Sequence, residues 1–373
     1  MTSTTTSPKE VSGIRIEAVR VANFRSLRNI EVTLGKTTVL VGMNNSGKTS
    51  FLRALHLALG ADRRMVTFDD FFASESGERA GEILIDVRIV PAAAKEFDQG
   101  WVDSDFGGDG TISVDADNRE FVAFRTRVWH DALRSDFLVE RTLRSDWPAF
   151  DTWQAKPSGA NKPVRRFEQL ASYFMDAQRD VVEDLRTRSS YLGRLLARIE
   201  LPEGAIADLE ARLAQLNDDI VASSDVLTHV REQLKVLNRT VPAFGDGVEI
   251  TPVTKRIRDI TKGVGVQFAD SAGSSFPLEF HGMGTRSWAS LLSFEAYVSW
   301  TAKLAQQEGL PFHPILSLEE PEAHLHPNAQ RCVHEQLTKG IGQRIVSTHS
   351  PYVAGQAGLN EIVHFAKDGS GTG

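Results

Sequence analysis

Apolar and polar residues alternate in the segments that follow the first thirteen residues, and this alternation predicts β-strands. Two such segments, IRIEAVRVAN and IEVTL, lie on either side of a turn at Arg25 to Asn29, and the short apolar run KTTVLVG follows them. Phe51, Leu52, Leu55 and Leu59 then recur at helical spacing. The order predicts two strands, a third and buried strand, a glycine-rich loop and a helix.

The pattern changes twice further along the chain. Short β-rich segments separated by Gly and Asp, from about Gly81 to Glu140, predict an antiparallel sheet beside the main one. The stretch Phe167 to Ile199 has helical spacing, and heptads then run from Ile206 to Leu237 with only Ser223 off the pattern. These heptads fit either a helical hairpin within one chain or a dimer seam, because heptads alone do not fix the oligomeric state.

These changes divide the chain into four parts. Residues 1–13 are polar, and we expect a disordered lead-in rather than a signal peptide because they contain no apolar core. Residues 14–163 and 244–373 are predicted to form one α/β domain, and a helical, coiled-coil insertion over residues 164–243 interrupts it. The predicted fold class is therefore α/β, with a mixed central sheet, a flanking antiparallel β-subdomain and a helical arm.

Composition narrows the class of protein. The net charge of −7 argues against a generally basic nucleic-acid binder, although a local basic patch is compatible with it. The single cysteine, Cys332, excludes a disulfide framework and fits a reducing cytosol. No apolar run approaches membrane-spanning length. We therefore expect a cytoplasmic protein without a membrane partner.

The loop before the first helix fits the phosphate-binding pattern G-x-x-x-x-G-K-[ST]. Its glycines let successive backbone N–H groups face inward, and the helix that follows adds its positive N-terminal end. Lys48 is expected to reach the β- and γ-phosphates of ATP, and the Thr49 hydroxyl is expected to bind Mg²⁺. The predicted nucleotide-binding residues are Gly42, Asn44, Asn45, Ser46, Gly47, Lys48, Thr49 and Ser50.

A second chemical motif is HPILSLEEPEAHLHP, a short apolar strand that ends in two carboxylates. Glu319 is predicted to hold the magnesium, and Glu320 to orient and deprotonate the attacking water, because neighbouring strand side chains point to opposite faces. His324 and His326, together with Glu322, could suggest a metal site, but we favour a dimer-facing loop.

The third motif is QRIVSTHSPYVA, in which a strand over Arg344 to Ser347 leads to His349. A histidine at a strand end beside a phosphate loop can contact the γ-phosphate or the attacking water. A histidine with a structural role is the alternative. We predict that Lys48, Glu320 and His349 form the catalytic set.

The order of the P-loop, the helical insertion, GMGTRS, EEP and STHS resembles that of ATP-binding-cassette ATPases, in the branch with RecF and the SMC-type proteins. The opening NFRSL is similar to that branch as well. The motifs EEPEAHLHP, HGMGTRS and STHSPYVA most resemble the ATPase half of the OLD (overcoming lysogenization defect) family of ATP-dependent nucleases. This likeness covers nearly all of residues 14–368.

The resemblance implies that ATP and Mg²⁺ lie between two subunits of a homodimer. It implies that Glu319 is the Walker B acid, Glu320 the general base and His349 the switch histidine. The remaining residues that it implies near the nucleotide are Arg25 and, across the interface, Gly282, Gly284 and Arg286 of the signature loop.

Three positions depart from the transporter pattern. Gly282 stands where a transporter signature begins with serine, so the contact across the interface must use backbone or neighbouring groups. No glutamine stands where a Q-loop is expected, and Asp69 and Asp70 are the nearby candidates for its role. The Glu at position 319, in place of Asp, matches the OLD pattern.

Members of the OLD family continue into a Toprim nuclease domain, which is expected only beyond Gly373, so this chain alone is predicted not to cut DNA. The acidic pairs Asp103/Asp105 and Asp115/Asp117 are interpreted as solvated turns. The leading hypothesis is a Mg²⁺-dependent ATPase module that regulates a DNA nuclease in phage defence or DNA processing. One alternative is an SMC- or RecF-like DNA-binding ATPase without a nuclease, and another is a nucleotide-gated dimerisation switch with negligible turnover.

Overall fold

The computed structural model describes residues 13–60, 66–108, 110–155, 162–164, 167–199, 202–230, 267–269, 275–368 and 371–372. The chain divides into two compact units, one of residues 1–179 with 298–373 and the other of residues 180–297. No helix in these ranges is long and apolar enough to cross a membrane.

The strands are numbered in chain order. They are β1 (Ile14–Phe24), β2 (Leu27–Thr33), β3 (Thr37–Val41), β4 (Glu82–Pro91), β5 (Ser113–Val114), β6 (Glu120–Asp131), β7 (Asp136–Arg144), β8 (Ser172–Met175), β9 (Gln267–Ala269), β10 (Ser275–Pro277), β11 (Ile315–Glu319), β12 (Gln343–Ser347), β13 (Ile362–His364), β14 (Lys367–Asp368) and β15 (Gly371–Thr372). The α-helices include Lys48–Leu59, Gln99–Trp101, Val181–Arg186, Tyr191–Leu196, Glu203–Ala222, Met283–Gln307, Pro327–Thr338 and Pro351–Ala354, and residues 225–230 are helical as well.

One sheet of the first unit is largely antiparallel. Its strands run in the order β14-β15-β2-β1-β4-β6-β5, and β7 also pairs with β6. Strand β1 pairs with β2 on one side and β4 on the other, and its apolar side chains, among them Ile16, Val19 and Val21, are buried. The antiparallel sheet predicted from the β-rich segments is therefore confirmed.

The other sheet of the first unit consists of five strands in the order β13-β3-β12-β11-β8, and every pair in it is parallel. Strands β3, β11 and β12 are short and buried, as their continuous apolar sequences predict. Because the carboxyl ends of parallel strands meet at one edge, the loops after β3, β11 and β12 lie together. These loops carry the three motifs found in the sequence.

The Gln343 side chain joins the two sheets. Its amide oxygen accepts from the backbone N–H of Ile16 at 2.8 Å, and its Nε2 donates to the carbonyl oxygens of Ile16 and Gly35 at 2.8 and 2.7 Å. Gln343 begins β12 whereas Ile16 lies in β1. The buried side-chain amide of Gln343 therefore bonds to both backbone groups of Ile16, as a residue on a neighbouring strand would. Both sheets contribute to one hydrophobic cluster with the helix Lys48–Leu59.

Near Gln343 lies His313, a partly exposed histidine whose Nε2 atom is buried and whose titration should lower the stability of the fold in acid. Burial lowers the pKa of His313 from 6.5 to about 4, and a hydrogen bond with Gln343 partly opposes the shift. The unfolded chain therefore binds more protons than the folded one between about pH 6.5 and 4, and stability falls as the pH falls through that window. The loss amounts to roughly 3 kcal/mol, at about 1.4 kcal/mol per pKa unit.

Urea denaturation from pH 7.5 to pH 4.5 measures this dependence. We expect the His313→Gln variant to lose less stability on acidification than the unmodified protein does. His130→Gln is a control, because this partly exposed ring of β6 packs against Phe68 and against Phe137 of β7. Identical pH profiles for the protein and His313→Gln would contradict the assignment.

The structure differs from the predicted helical insertion at its start. The helix expected over Phe167 to Ile199 is wrong between Ser172 and Met175, which form the edge strand β8 and pair with β11. Tyr173 and Met175 are buried and their two neighbours in β8 are partly exposed. The apolar residues that were assigned to a helix therefore alternate in burial along a strand. Helices begin only at Val181, and the second compact unit spans residues 180–297 rather than 164–243.

The heptad region is helical over Glu203–Ala222. It is interrupted at Ser223 and Ser224 and helical again over residues 225–230, so the break falls where the heptads break. Leu209 and Leu216 are 37% and 45% exposed on this helix. The last heptad positions, Leu234 and Leu237, lie outside the described residues.

Candidate functional site

The glycines of the phosphate-binding loop are required by conformation and by space. Gly42 has a φ of 150° and Gly47 a φ of 98°, both in the region that side chains disfavour. A Cβ at Gly42 would lie 2.4 Å from the carbonyl oxygen of Phe365. A Cβ at Gly47 would lie 2.7 Å from Leu27 Cδ2 and 3.0 Å from Thr372 Oγ1. The loop is therefore packed tightly on its outer side, and its backbone can curve around a phosphate.

Lys48 opens the helix and its ammonium lies inside the loop. Nζ donates to the carbonyl oxygens of Gly42 and Met43 at 2.9 Å each, and lies 3.4 Å from Ser46 Oγ. Burial lowers the pKa of Lys48, and the Glu320 carboxylate opposes that shift. A cation held by backbone carbonyls at the mouth of a curved loop is positioned for phosphate oxygens.

The other predicted loop residues differ in exposure. Asn44 and Asn45 are exposed, and Asn45 has a φ of 63°, which asparagine tolerates better than most residues. Ser46 is buried. Ser50 Oγ lies 3.4 Å from Ser26 Oγ, which belongs to the turn between β1 and β2. The two asparagines thus face solvent, whereas the two serines are packed.

The two predicted magnesium ligands are in direct contact. Thr49 Oγ1 donates to Glu319 Oε1, although the two residues are far apart in sequence. Strand β12 lies between β3 and β11, so the ends of β3 and β11 are separated by one strand. A hydroxyl and a carboxylate side by side are oxygen donors of the kind that Mg²⁺ takes, together with phosphate oxygens. This donor set therefore fits the metal.

Glu320 and His349 form the second contact. His349 Nε2 lies 3.7 Å from Glu320 Oε1, and both side chains are about one third exposed. Strand β11 ends at Glu319, and Glu320 has a φ of 41°, in the left-handed region. The left-handed turn therefore sets the direction of the Glu320 side chain. The alternation of side chains along a strand, from which this direction was predicted, does not apply because Glu320 lies after the strand. The Glu320 N–H donates to the carbonyl oxygen of Ser347 at 2.9 Å, which ties this turn to β12.

The comparison with known protein families agrees with this geometry. Residues 37–355 match the family described as "AAA domain, putative AbiEii toxin, Type IV TA system". The chain belongs to this family. Its P-loop is that of an AAA-type ATPase domain, and the predicted nucleotide-binding class is confirmed.

Curated relatives of this AAA-domain chain include two OLD nucleases. The "OLD nuclease" of Thermus scotoductus is 27% identical over 365 residues, which is 91% of this chain and 60% of the relative. The "Old nuclease" of Escherichia phage P2 is 21% identical over 382 residues, 96% of this chain and 60% of the relative. The resemblance to the OLD family is confirmed, and the chain spans about 60% of the length of these relatives.

Solved structures similar to the AAA-domain chain include SMC heads. The "SMC head domain from Thermotoga maritima" matches with a TM-score of 0.42 and 13% identity, covering 96% of this chain and 97% of that one. An Smc head with an extended coiled coil from Pyrococcus furiosus, bound to the C-terminal domain of ScpA, matches with a TM-score of 0.47 and 15% identity, covering 96% and 95%.

Glu322 is a residue of this AAA-domain site whose role the sequence did not reveal. It is buried, and its Oε1 accepts from the Thr348 hydroxyl and from the backbone N–H groups of His349 and Ser350 at 3.2 Å each. These bonds hold the main chain that carries His349. The pairing of Glu322 with the nearby histidines as a possible metal site therefore has no structural support.

The two histidines after Glu322 have other features. His326 caps the helix Pro327–Thr338, because its Nδ1 accepts from the Asn328 N–H at 3.3 Å. His324 has a φ of 66° in the loop before it. Within the described residues, no group of three or more His, Cys, Asp or Glu side chains could hold a metal ion.

Arg179 is the second residue that sequence reasoning missed. Its Nη1 lies 3.2 and 3.3 Å from the carbonyl oxygens of Asp176 and Glu319, and its Nη2 lies 3.2 and 2.5 Å from those of Glu320 and Pro321. Burial lowers the pKa of Arg179 to about 10, and nearby carboxylates, Glu322 first, oppose the shift. Arg179 is therefore charged at neutral pH.

Arg25 lies in the turn between β1 and β2 with a φ of 51°. Its N–H donates to the Asp70 carbonyl oxygen at 2.8 Å, and its Nε lies 2.9 Å from Asp70 Oδ1. The next two residues of that turn, Ser26 and Leu27, face the P-loop helix and Gly47. Arg25 thus belongs to a turn that lies against the P-loop, and its role at the nucleotide stays a prediction.

The candidates for the Q-loop position have different surroundings. Asp70 is buried, paired with Arg25, and accepts from the Thr67 N–H at 3.1 Å. Asp69 is exposed and pairs with Arg79 at 3.0 Å. Of the two, only Asp70 is connected to the P-loop through Arg25.

The signature residues belong to the second unit. Gly282 is exposed directly before the helix Met283–Gln307, and Gly284 lies in the first turn of that helix. A Cβ at Gly282 would meet nothing within 4 Å, so packing within the chain does not require glycine there. Arg286 binds Asp180 through Nε, at 2.9 Å, and through Nη2. Its predicted contact with phosphate across an interface remains a prediction.

Proposed function

We propose that this chain is a magnesium-dependent ATPase that binds ATP between two copies of itself. The observation that carries the proposal is the meeting of three strand ends, which places Thr49 against Glu319 and Glu320 beside His349. The P-loop provides curved backbone and the Lys48 ammonium, which together recognise a polyphosphate.

The roles follow from the chemistry of each group. Thr49 and Glu319 would hold the magnesium ion, which neutralises charge on the phosphate oxygens. Glu320 lies at the neighbouring position, partly exposed, where its carboxylate can orient a water and accept its proton. His349 lies against the same carboxylate and can donate a hydrogen bond to the γ-phosphate.

Three features support a homodimer. The signature sequence is on the second unit of the chain, and Phe280 and Met283 beside Gly282 are 76% and 44% exposed. Exposed apolar side chains of this size at a glycine-rich helix start suit a covered interface. The half-exposed heptad leucines Leu209 and Leu216 offer a second surface for a partner copy.

We further propose that the ATPase regulates a DNA nuclease, in DNA processing or phage defence. The support is the similarity to two relatives described as OLD nucleases, which this chain matches over 60% of their length. DNA and any partner protein would act through the part of such a protein that this chain does not include.

Incubated with ATP, Mg²⁺ or Mn²⁺, and supercoiled or linear DNA, the chain should release phosphate and leave the DNA intact. Metal-dependent cleavage needs carboxylates that converge on one or two ions. The acidic pairs that could mimic such a site are placed differently: Asp103 and Asp105 lie in the helical segment Val102–Phe106, so the turn expected there was wrong, whereas Asp115 and Asp117 lie at the turn before β6. Asp105 accepts from three consecutive backbone N–H groups at residues 168–170, and Asp115 from Arg88 and two backbone N–H groups.

Gel electrophoresis shows whether the DNA is intact, and a phosphate assay on the same sample measures ATP hydrolysis. Nicking that co-purifies with the protein and disappears in Asp103→Ala would contradict the proposal, because the exposed Asp103 carboxylate accepts a hydrogen bond from Gln99 Nε2 at 2.8 Å and is free of the backbone bonds that hold Asp105. DNA binding that requires ATP would favour the SMC-like alternative. A folded, ATP-binding dimer that releases no phosphate would favour the dimerisation switch.

A further inference from the structure

The turn after β11 has an unusual backbone conformation. At Glu320 the chain takes a left-handed φ of 41°, a conformation that a residue with a side chain seldom adopts without support. The carbonyl groups of Glu319, Glu320 and Pro321 follow one another around this turn. Each is a strong hydrogen-bond acceptor, and Pro321 is buried whereas Glu319 and Glu320 are partly exposed.

A single side chain donates to all three carbonyls, and the Glu320 carbonyl also accepts from the Ala323 N–H at 2.9 Å. Arg179, which is 9% exposed, directs Nη1 to Glu319 and Nη2 to Glu320 and Pro321, and Nη1 also reaches Asp176. A guanidinium is planar and its donors have a fixed geometry, so bonds to consecutive carbonyls fix the orientation of the peptide planes. The planes on either side of Glu320 in turn set the direction of its Cα–Cβ bond.

We propose that Arg179 is a positioning residue for hydrolysis, which holds the Glu319–Pro321 turn so that the Glu320 carboxylate faces the attacking water. Arg179 acts through the backbone and contacts neither the Glu319 nor the Glu320 carboxylate at ion-pair distance among the described residues. This role rests on the proposed ATPase function of Glu320. It goes beyond that function because it identifies Arg179 as the residue that orients the general base, Glu320.

The position of Arg179 in the fold supports a role in positioning. It follows β8, the strand that pairs with β11 in register, so the guanidinium lies beside the strand whose end it holds. Glu322 on the same turn holds the main chain of His349 from the other side. The turn is thus bonded on both sides, with Arg179 binding its carbonyls and Glu322 binding the next loop.

Arg179→Met should lower kcat for ATP hydrolysis by about 10²-fold, the scale expected when a catalytic group is displaced by about 1 Å. The Kd for ATP should change by less than about threefold, because Lys48 and the P-loop are unaltered. Arg53→Met is the matched control: Arg53 binds Asp176 Oδ2 at 3.2 Å, near Arg179, but does not contact the turn. Its kcat and Kd should match those of the unmodified protein.

A double-mutant cycle separates positioning of Glu320 from a general effect on the fold. If Arg179 acts through Glu320, adding Arg179→Met to Glu320→Gln should slow hydrolysis by less than about threefold further. Thermal unfolding of each variant checks that the protein is folded. Should Arg179→Met fail to fold, Arg179→Lys, which keeps the charge and loses the planar fork, is tested in the same cycle.

The proposal is overturned if Arg179→Met keeps its kcat, if ATP affinity falls as far as kcat does, or if the two substitutions slow hydrolysis multiplicatively. Failure of the underlying ATPase function gives a different result. In that case either the unmodified protein releases no phosphate, or Glu320→Gln alone hydrolyses ATP at the unmodified rate, whatever the Arg179 variants do.

Discussion

Glu320→Gln should slow ATP hydrolysis by about 10²–10⁴-fold, the usual scale for the loss of a general base. The substitution keeps the shape of the side chain and removes the carboxylate that would accept the proton of water. ATP binding should be unaffected or stronger, because Lys48, Thr49 and Glu319 are unaltered and a negative charge near the phosphates is lost. Single-turnover phosphate release and the Kd for ATP measure the two effects.

Glu319→Gln is the matched control for this substitution, one residue earlier on the same strand end. It should raise the Mg²⁺ concentration required for half-maximal activity, because the Thr49 hydroxyl loses its carboxylate partner.

The Glu320→Gln variant should also accumulate as an ATP-bound dimer, which sedimentation velocity detects. A Glu320→Gln protein with unmodified turnover would show that the base lies elsewhere.

Lys48→Ala should weaken ATP binding by about 10²-fold or more, the loss expected when a charged group in a binding site loses its partner. The Lys48 ammonium is the side-chain cation that lies inside the phosphate loop. Titration with a fluorescent ATP analogue measures the affinity.

Lys36→Ala is the control for Lys48→Ala. Lys36 is exposed and precedes β3, whereas Lys48 follows the other end of that strand. The control should bind ATP as the unmodified protein does. Unchanged affinity in Lys48→Ala would mean that residues 42–49 are not the nucleotide site.

The parts of the site that the sequence predicted are those encoded by short contiguous motifs. The P-loop combines a buried strand, two glycines with positive φ and a helix start within a few residues, so its spacing determines its shape. The placement of Glu319 near Thr49 was also predictable, because β3 and β11 are both short apolar strands that end in functional residues.

The contacts that the sequence did not predict join distant residues through the backbone. Arg179 binds main-chain carbonyls about 140 positions away. Every residue has such a carbonyl, so the side chains of residues 319–321 do not indicate that Arg179 binds there. Strand β8 was mistaken for helix because four residues carry too little periodicity, and its conformation depends on pairing with β11. Asp105 was misread for a similar reason, since its partners are backbone N–H groups of a later segment.

The tight contacts behind the P-loop connect it mechanically to the last described part of the chain. Gly42 has no room for a Cβ against the Phe365 carbonyl, and Gly47 has none against Leu27 and Thr372. The Phe365 N–H also donates to the Val41 carbonyl oxygen at 2.8 Å, and that of Thr372 to Ser26 at 3.1 Å. Groups already in contact cannot absorb a displacement by compression, because protein interiors are close-packed. A shift of the phosphate loop during the ATP cycle must therefore displace Phe365 and Thr372, which makes these two residues sensitive reporters of the nucleotide state.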